Sequence, residues 1–253
     1  MPIKVSSFSG VRVYNLSSGV KDIPELLSRN KKRALAKESE HSQRVDLIQD
    51  FEMPAASQTL TITRDAEHII LTGTYPPMVK CFTVSDLGLK FQRGLTSEVV
   101  ATQCLSDDFG KLCFLQSDRN LSFHAPYGKH YSIRVPVFGR TLEYNWENCD
   151  LYVGAAGNEV YRLNLEAGSF REPFTLGFEG CNKLSLNPVH RLLACGGENA
   201  ACEFWDARAR KAVAKIKIDD NSAANRSIEI TSLKFDTDGL TLAVGSSQGT
   251  EFA

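Results

Sequence analysis

No apolar run in this 253-residue sequence approaches the ~20 residues that a membrane-spanning helix needs. The opening, MPIKVSSFSG, lacks the apolar core of a secretory signal. An excess of one charge is also missing: 29 Lys and Arg face 30 Asp and Glu, a formal net charge of −1. Bulk electrostatics therefore gives no reason to expect a nucleic-acid binder, and such a role would have to come from local patches. There is no CxxC and no histidine pair at ligand spacing, so the common zinc motifs are excluded. Seven cysteines are an odd number and fall mostly in apolar runs, as expected of reduced core thiols in an intracellular protein. The N-x-S sequons at Asn15, Asn120 and Asn225 are accordingly expected to be unused.

What is present is a repeat. Segments starting at residues 60, 99, 141 and 182 align, and a fifth, ITSLKFDTDGLTLAVGSSQGTEFA, starts at 230. Each opens with a short alternating run, then a polar turn: Arg64-Asp65, Asp107-Asp108, Glu147-Asn148, Asn187-Pro188, Asp236-Thr237. A second run rich in small and β-branched residues follows (ILTGT, YVGAA, LACGG, LAVGS), then a third (VKCFTV, LSFHA, EVYRLNL, CEFWDA) and usually a fourth. Four short strands recurring every ~40 residues is the sequence form of a β-propeller blade. The small residues of the second run fit strands crowded near a central channel. Trp205-Asp206 matches the Trp-Asp dipeptide of WD repeats, where the other units carry Phe82-Thr83, His124-Ala125 and Leu163-Asn164.

The expected fold is all-β, a WD-repeat β-propeller with a short helical insertion near the N-terminus. Residues 1–20 hold a strand, VRVYNL, with no strand of its own before it, expected to close the propeller as ring-closing strands do. Residues 21–56 form a charged helical insertion, and 57–253 supply four full blades and a fifth partial one. The fifth unit stops two strands short, TEFA does not continue the pattern, and the chain reads as truncated. Such an open ring is expected to expose strand edges and to aggregate or lose order at its C-terminal end.

Within the insertion, Asp22 and Ile23-Pro24-Glu25 signal a helix start. Val45, Leu47, Ile48 and Phe51 lie at helical spacing and are candidates for docking on the propeller or a partner. Seven basic residues balance seven acidic ones over 21–53, so this is no polycationic arm. Lys31, Lys32 and Arg33 alone could form part of a nuclear address or touch phosphate, against the alternative of a solvated helix face. Two further basic patches are candidates for partner or RNA contact: Lys129 and Arg134 in YGKHYSIRVP, and Arg208, Arg210 and Lys211 in RARKAVAKIK. Lysines on an outer strand also serve simply to block edge pairing.

Catalysis finds no support. Gly245-Ser246-Ser247-Gln248-Gly249 is formally G-x-S-x-G, but a nucleophile elbow needs strand-turn-helix context, with acid and His following the Ser. Gly154 and Gly196-Gly197 lie inside strand runs and open no helix, so they make no phosphate cradle. His68 and His190 precede second strands and read as turn braces. No cofactor, metal, membrane or small-molecule substrate is implied.

Several stretches are more specific than any generic repeat: QRVDLIQDFEMP, LTGTYPPMVKCFTV, CLSDDFGKLCFLQSDR, YGKHYSIRVPVFGR, CDLYVGAAGNEVYRLNLEAGSF and EFWDARAR. Together they closely resemble the nucleolar protein 10 family from about residue 5 to residue 249. That resemblance implies a seven-bladed propeller acting without catalysis as a scaffold for small ribosomal subunit assembly. It also implies a nuclear and nucleolar location, with other assembly proteins and pre-rRNA as partners. The family's fifth-unit strand ending in a Tyr-Asp-Leu-Arg-like sequence, its further blades and its charged C-terminal region are absent here. A different binding role, as a WD-repeat substrate receptor of a ubiquitin ligase, is the alternative.

Overall fold

Alternating apolar residues bounded by turn-forming Asp and Asn fix the strands. The computed structural model describes residues 4–8, 11–15, 53–85, 88–208, 211–217, 228–249 and 251–252. Two strands come first, β1 (Lys4–Phe8) and β2 (Val11–Asn15), paired antiparallel with Lys4 opposite Asn15. The VRVYNL run therefore does have a strand before it. The polar Ser6-Ser7 pair disguised that strand in the sequence pattern.

Four four-stranded antiparallel sheets follow in chain order. The first holds β3 (Ser57–Ile62), β4 (His68–Gly73), β5 (Met78–Thr83) and β6 (Leu89–Gly94). The second holds β7 (Val99–Cys104), β8 (Leu112–Gln116), β9 (Asn120–Ala125) and β10 (Gly128–Arg134). In the third are β11 (Gly139–Asn145), β12 (Asp150–Ala155), β13 (Glu159–Asn164) and β14 (Ser169–Thr175). The fourth has β15 (Cys181–Leu186), β16 (Leu192–Gly197), β17 (Ala201–Asp206) and β18 (Lys211–Lys217), with a 3-10 turn at Glu198–Ala200. A fifth, three-stranded sheet contains β19 (Ile230–Phe235), β20 (Leu242–Ser246) and β21 (Glu251–Phe252). Here the expectation for TEFA is corrected: Phe252 pairs with Val244 and Glu251 with Gly245. Gly249 makes the return possible, at φ +80°, where a side chain would be strained.

The first turn of each blade uses one device. A side-chain oxygen of Asp65, Asp108, Asn145, Asn187 or Asp236 accepts a backbone N–H one or two residues further on, at 2.7–3.0 Å. First strands lie against first strands, β3 by β7, β7 by β11, β11 by β15 and β15 by β19, so the blades form an arc of a β-propeller.

Each blade-to-blade junction is a separate core. Ile70, Val79 and Cys81 of the first blade meet Val99, Leu112 and Phe114 of the second. Leu121 meets Leu142, Leu151 and Val153 between the second and third blades. Tyr152 and Phe174 meet Cys181, Leu193 and Trp205 between the third and fourth, and Cys202 meets Ile230 and Leu233 beyond. The small residues of the second strands have a specific cause. A Cβ on Gly154 would stand 2.9 Å from Cys181 Sγ, and one on Gly196 2.5 Å from Leu233 Cδ1. Both neighbours belong to the first strand of the following blade.

Candidate docking surfaces

The Trp-Asp position does two structural jobs. Trp205 is buried at the junction of the third and fourth blades, and its Nε1 donates to Glu203 Oε2 at 3.3 Å. Glu203, also buried, accepts the Gly177 N–H of the preceding blade at 3.0 Å and pairs with Lys215 Nζ at 2.9 Å. Asp206 caps the next turn, accepting the Arg208 N–H at 2.8 Å. In the second blade the equivalent side chain is His124, packed edge-on to Phe114 with ring centroids 5.0 Å apart. Burial lowers its pKa to about 4, helped by the positive charges of Arg93 and Lys129, so the ring is neutral.

A buried polar cluster sits in the third blade. Asp150 accepts from Arg162 at 3.1 Å and from Asn164 at 2.8 Å, and all three are almost fully enclosed. The Arg162 guanidinium lies 4.5 Å from the Phe174 ring centroid. On the face carrying the first turns, contacts tie blade to blade. Arg64 stacks on Trp146, 4.7 Å from its ring centroid, and Arg191 pairs with Glu147 at 3.0 Å. The Asn187 amide donates to the Gly239 carbonyl at 2.8 Å. The first tie reaches from the first blade to the third, the other two span 44 and 52 residues, and the repeat gives no hint of which turn partners which.

Among the described residues the basic candidates do not converge. Lys129 and Arg134 lie on β10, the outer strand of the second blade, and are exposed. Cross-strand register places them opposite His124 and Asn120, whereas Tyr131 and Ile133 lie opposite Phe123 and Leu121 on the other face. Arg208 and Lys211 flank the last turn of the fourth blade, a full blade away, and are exposed. Arg210, Lys31, Lys32, Arg33, Val45, Leu47, Ile48 and Phe51 lie outside the described residues. The pattern missed a groove of about 460 Å³ between the second and third blades. Phe123, Tyr131, Ile133, Leu163 and Leu165 line it, with Lys111 its one formally charged residue among those described.

Two constellations with chemical potential fail on geometry. Asp65, Glu67 and His68 bring possible ligand atoms within 4.8 Å. However, Lys90 Nζ lies 2.9 Å from His68 Nε2, and an ammonium can only donate. His68 therefore carries its proton on Nδ1, the nitrogen 3.9 Å from Asp65 Oδ2, and offers no lone pair to a metal there. Its backbone N–H bonds to Thr63 Oγ1 at 3.0 Å, a turn brace. At His190 the brace is the Asn187 side chain, which accepts the His190 N–H at 2.8 Å. Ser247 sits between β20 and β21 with its amide bonded to Glu229 O at 2.9 Å, so the element after it is a strand, where an elbow needs a helix. The Cys195 and Cys202 thiols are buried and shifted strongly upward by burial, Cys202 to about 12, so neither is poised as a thiolate.

Four four-stranded sheets and a three-stranded fifth, joined by apolar cores, define a β-propeller protein. The chain belongs to the family described as Nucleolar protein 10-like, N-terminal domain, matched over residues 4–252. It is 44% identical over 251 residues to Ribosome biogenesis protein ENP2 of Saccharomyces cerevisiae, covering 98% of this chain and 35% of that protein. With human Nucleolar protein 10 it shares 42% identity over 253 residues, covering 98% and 36%. The Schizosaccharomyces pombe Ribosome biogenesis protein enp2 homolog is 42% identical over 262 residues, covering 98% and 41%. The chain thus spans between 35% and 41% of the length of these relatives.

Proposed function

We propose that this chain serves in ribosome biogenesis as a non-catalytic scaffold in small-subunit assembly and pre-rRNA processing. It acts in the nucleus and nucleolus, docking other assembly proteins and pre-rRNA. The observation that carries the reading is near end-to-end kinship with proteins named for ribosome biogenesis and the nucleolus. The physical support is an arc of blades joined by separate apolar cores, a framework that presents loops and outer strands for multivalent docking. In this reading residues 1–20 contribute to ring closure. The insertion of 21–56 presents Lys31, Lys32 and Arg33, and docks through Val45, Leu47, Ile48 and Phe51. Lys129, Arg134, Arg208, Arg210 and Lys211 meet partners at the rim. The test is sedimentation of the tagged full-length protein. Co-migration with large pre-ribosomal particles, and altered pre-18S rRNA on depletion, are expected. Migration free of those particles with unchanged pre-rRNA, or recovery with cullin adaptors instead, would refute it.

A further inference from the structure

The geometry points to the outer edge of β10 as the site that takes an extended partner peptide of alternating apolar and acidic residues. β10 ends its sheet, in the order β10-β9-β8-β7, so one side of its backbone faces no neighbouring strand among the described residues. A peptide added there would place successive side chains on opposite faces. One face opens on the groove between the second and third blades, where Tyr131 and Ile133 stand over Leu163 and Leu165. Among the described residues no carboxylate lines that groove, and its walls accept apolar side chains. The opposite face carries Lys129 and Arg134, both exposed, which call for acidic partners directly across the strand.

Other outer strands fit such a peptide less well. In β14, Pro173 lacks the N–H that strand addition needs, and Glu172 would repel acidic side chains. In β6, Lys90 bonds to His68 and lies on the Phe109 ring, and Arg93 donates to the Ala125 carbonyl of the next blade. β18 is exposed along its whole length, and the sheet that follows it has three strands among the described residues and no fourth to wall a groove. Both walls of the β10 groove are blades flanked on either side by another blade. A bulge between Lys129 and Tyr131 confines regular pairing to Tyr131–Arg134. RNA is the poorer occupant, because among the described residues the groove face offers phosphate only Lys111.

The inference rests on the scaffold reading above, and its test is separable from it. Fluorescence anisotropy with the full chain would compare a labelled peptide alternating Val and Glu, its Val and Lys counterpart, and oligouridine. The acidic peptide is expected to bind saturably and about tenfold more tightly than the basic one. Ile133→Asp should abolish binding, and binding should slow amide exchange at residues 131–134. Because Ile133→Asp could unfold the blade, the exposed pair Lys129→Glu with Arg134→Glu supplies a second arm, which should invert the preference. Equal affinity for both peptides, no saturable binding, an unchanged preference in the charge-reversed variant, or displacement of the acidic peptide by oligouridine would overturn the assignment. Such a result with particle co-sedimentation intact would leave the scaffold reading standing.

Discussion

Trp205 of the fourth blade lies against Phe174 of the third, ring centroids 5.0 Å apart and planes 26° from parallel. The pair joins two blades whose only covalent link is the Leu176–Gly180 loop. Trp205→Ala opens a cavity at that junction and removes a donor from buried Glu203, so a loss of about 3–5 kcal/mol is expected in chemical denaturation. Trp205→Phe keeps the stack and should cost clearly less.

Asp150 is fully buried beside Arg162. Asp150→Ala leaves that guanidinium without its enclosed counter-charge and should destabilise by about 3–5 kcal/mol. Replacing both residues, Asp150→Leu with Arg162→Met, should recover much of the loss, and urea midpoints of the three variants check it. Equal losses in the single and double variants would show that the ion pair is not the reason for the cost.

Two titrations act in opposite senses. His124 falls from an ordinary 6.5 to about 4, so its contribution is present above pH 6.5 and is lost as pH drops toward 4. Glu143 is raised from 4.5 to about 7, chiefly by burial, while the Leu186 backbone and the charges of Lys183 and Lys234 hold it partly back. Its folded form prefers the proton, so stability is lost as pH rises from 4.5 through 7. Glu143→Gln should therefore raise the melting temperature at pH 8, with the gain fading toward pH 4.5. His124→Phe should flatten the acid limb, and melting curves from pH 4 to 8 separate the two.

Of the seven cysteines, six are buried and Cys149 is partly exposed at a first turn. Burial raises the Cys81 and Cys104 thiols to about 11. N-ethylmaleimide on the native chain should label Cys149 alone, and all seven should react in denaturant. Mass spectrometry of tryptic peptides reads the difference. Fast native labelling of Cys113 or Cys195 would show that the blade junctions open.

Leu60 and Ile62 on the first blade's inner strand are 62% and 56% exposed, and Val213 and Ile216 on the fourth blade's outer strand 60% and 52%. Apolar surface of this extent drives association. Residues 1–253 alone should sediment with a concentration-dependent mass, and Leu60→Lys with Ile62→Lys should reduce it. A strict monomer across micromolar concentrations would refute this.

The blades were legible because their signal is local. Each first turn carries an Asp or Asn that caps itself, and each strand shows its own alternation, so turn positions and four full units could be read directly. Two strands escaped for equally local reasons. Lys4–Phe8 is interrupted by a serine pair, and Glu251–Phe252 spans two residues, too few to show a period. The candidate basic residues were visible as composition, yet composition carries no face.

Sequence by itself determined the period, the order of strands within each blade and the burial of most cysteines. All of these follow from spacing and side-chain chemistry within about 40 residues. Tertiary structure alone decided the rest. It put Lys129 and Arg134 opposite Tyr131 and Ile133 across one strand, Glu203 on the Gly177 amide, and Arg64 on Trp146. Those relations depend on a bulge within β10 and on how blades pack, and packing joins residues that no repeat pattern connects.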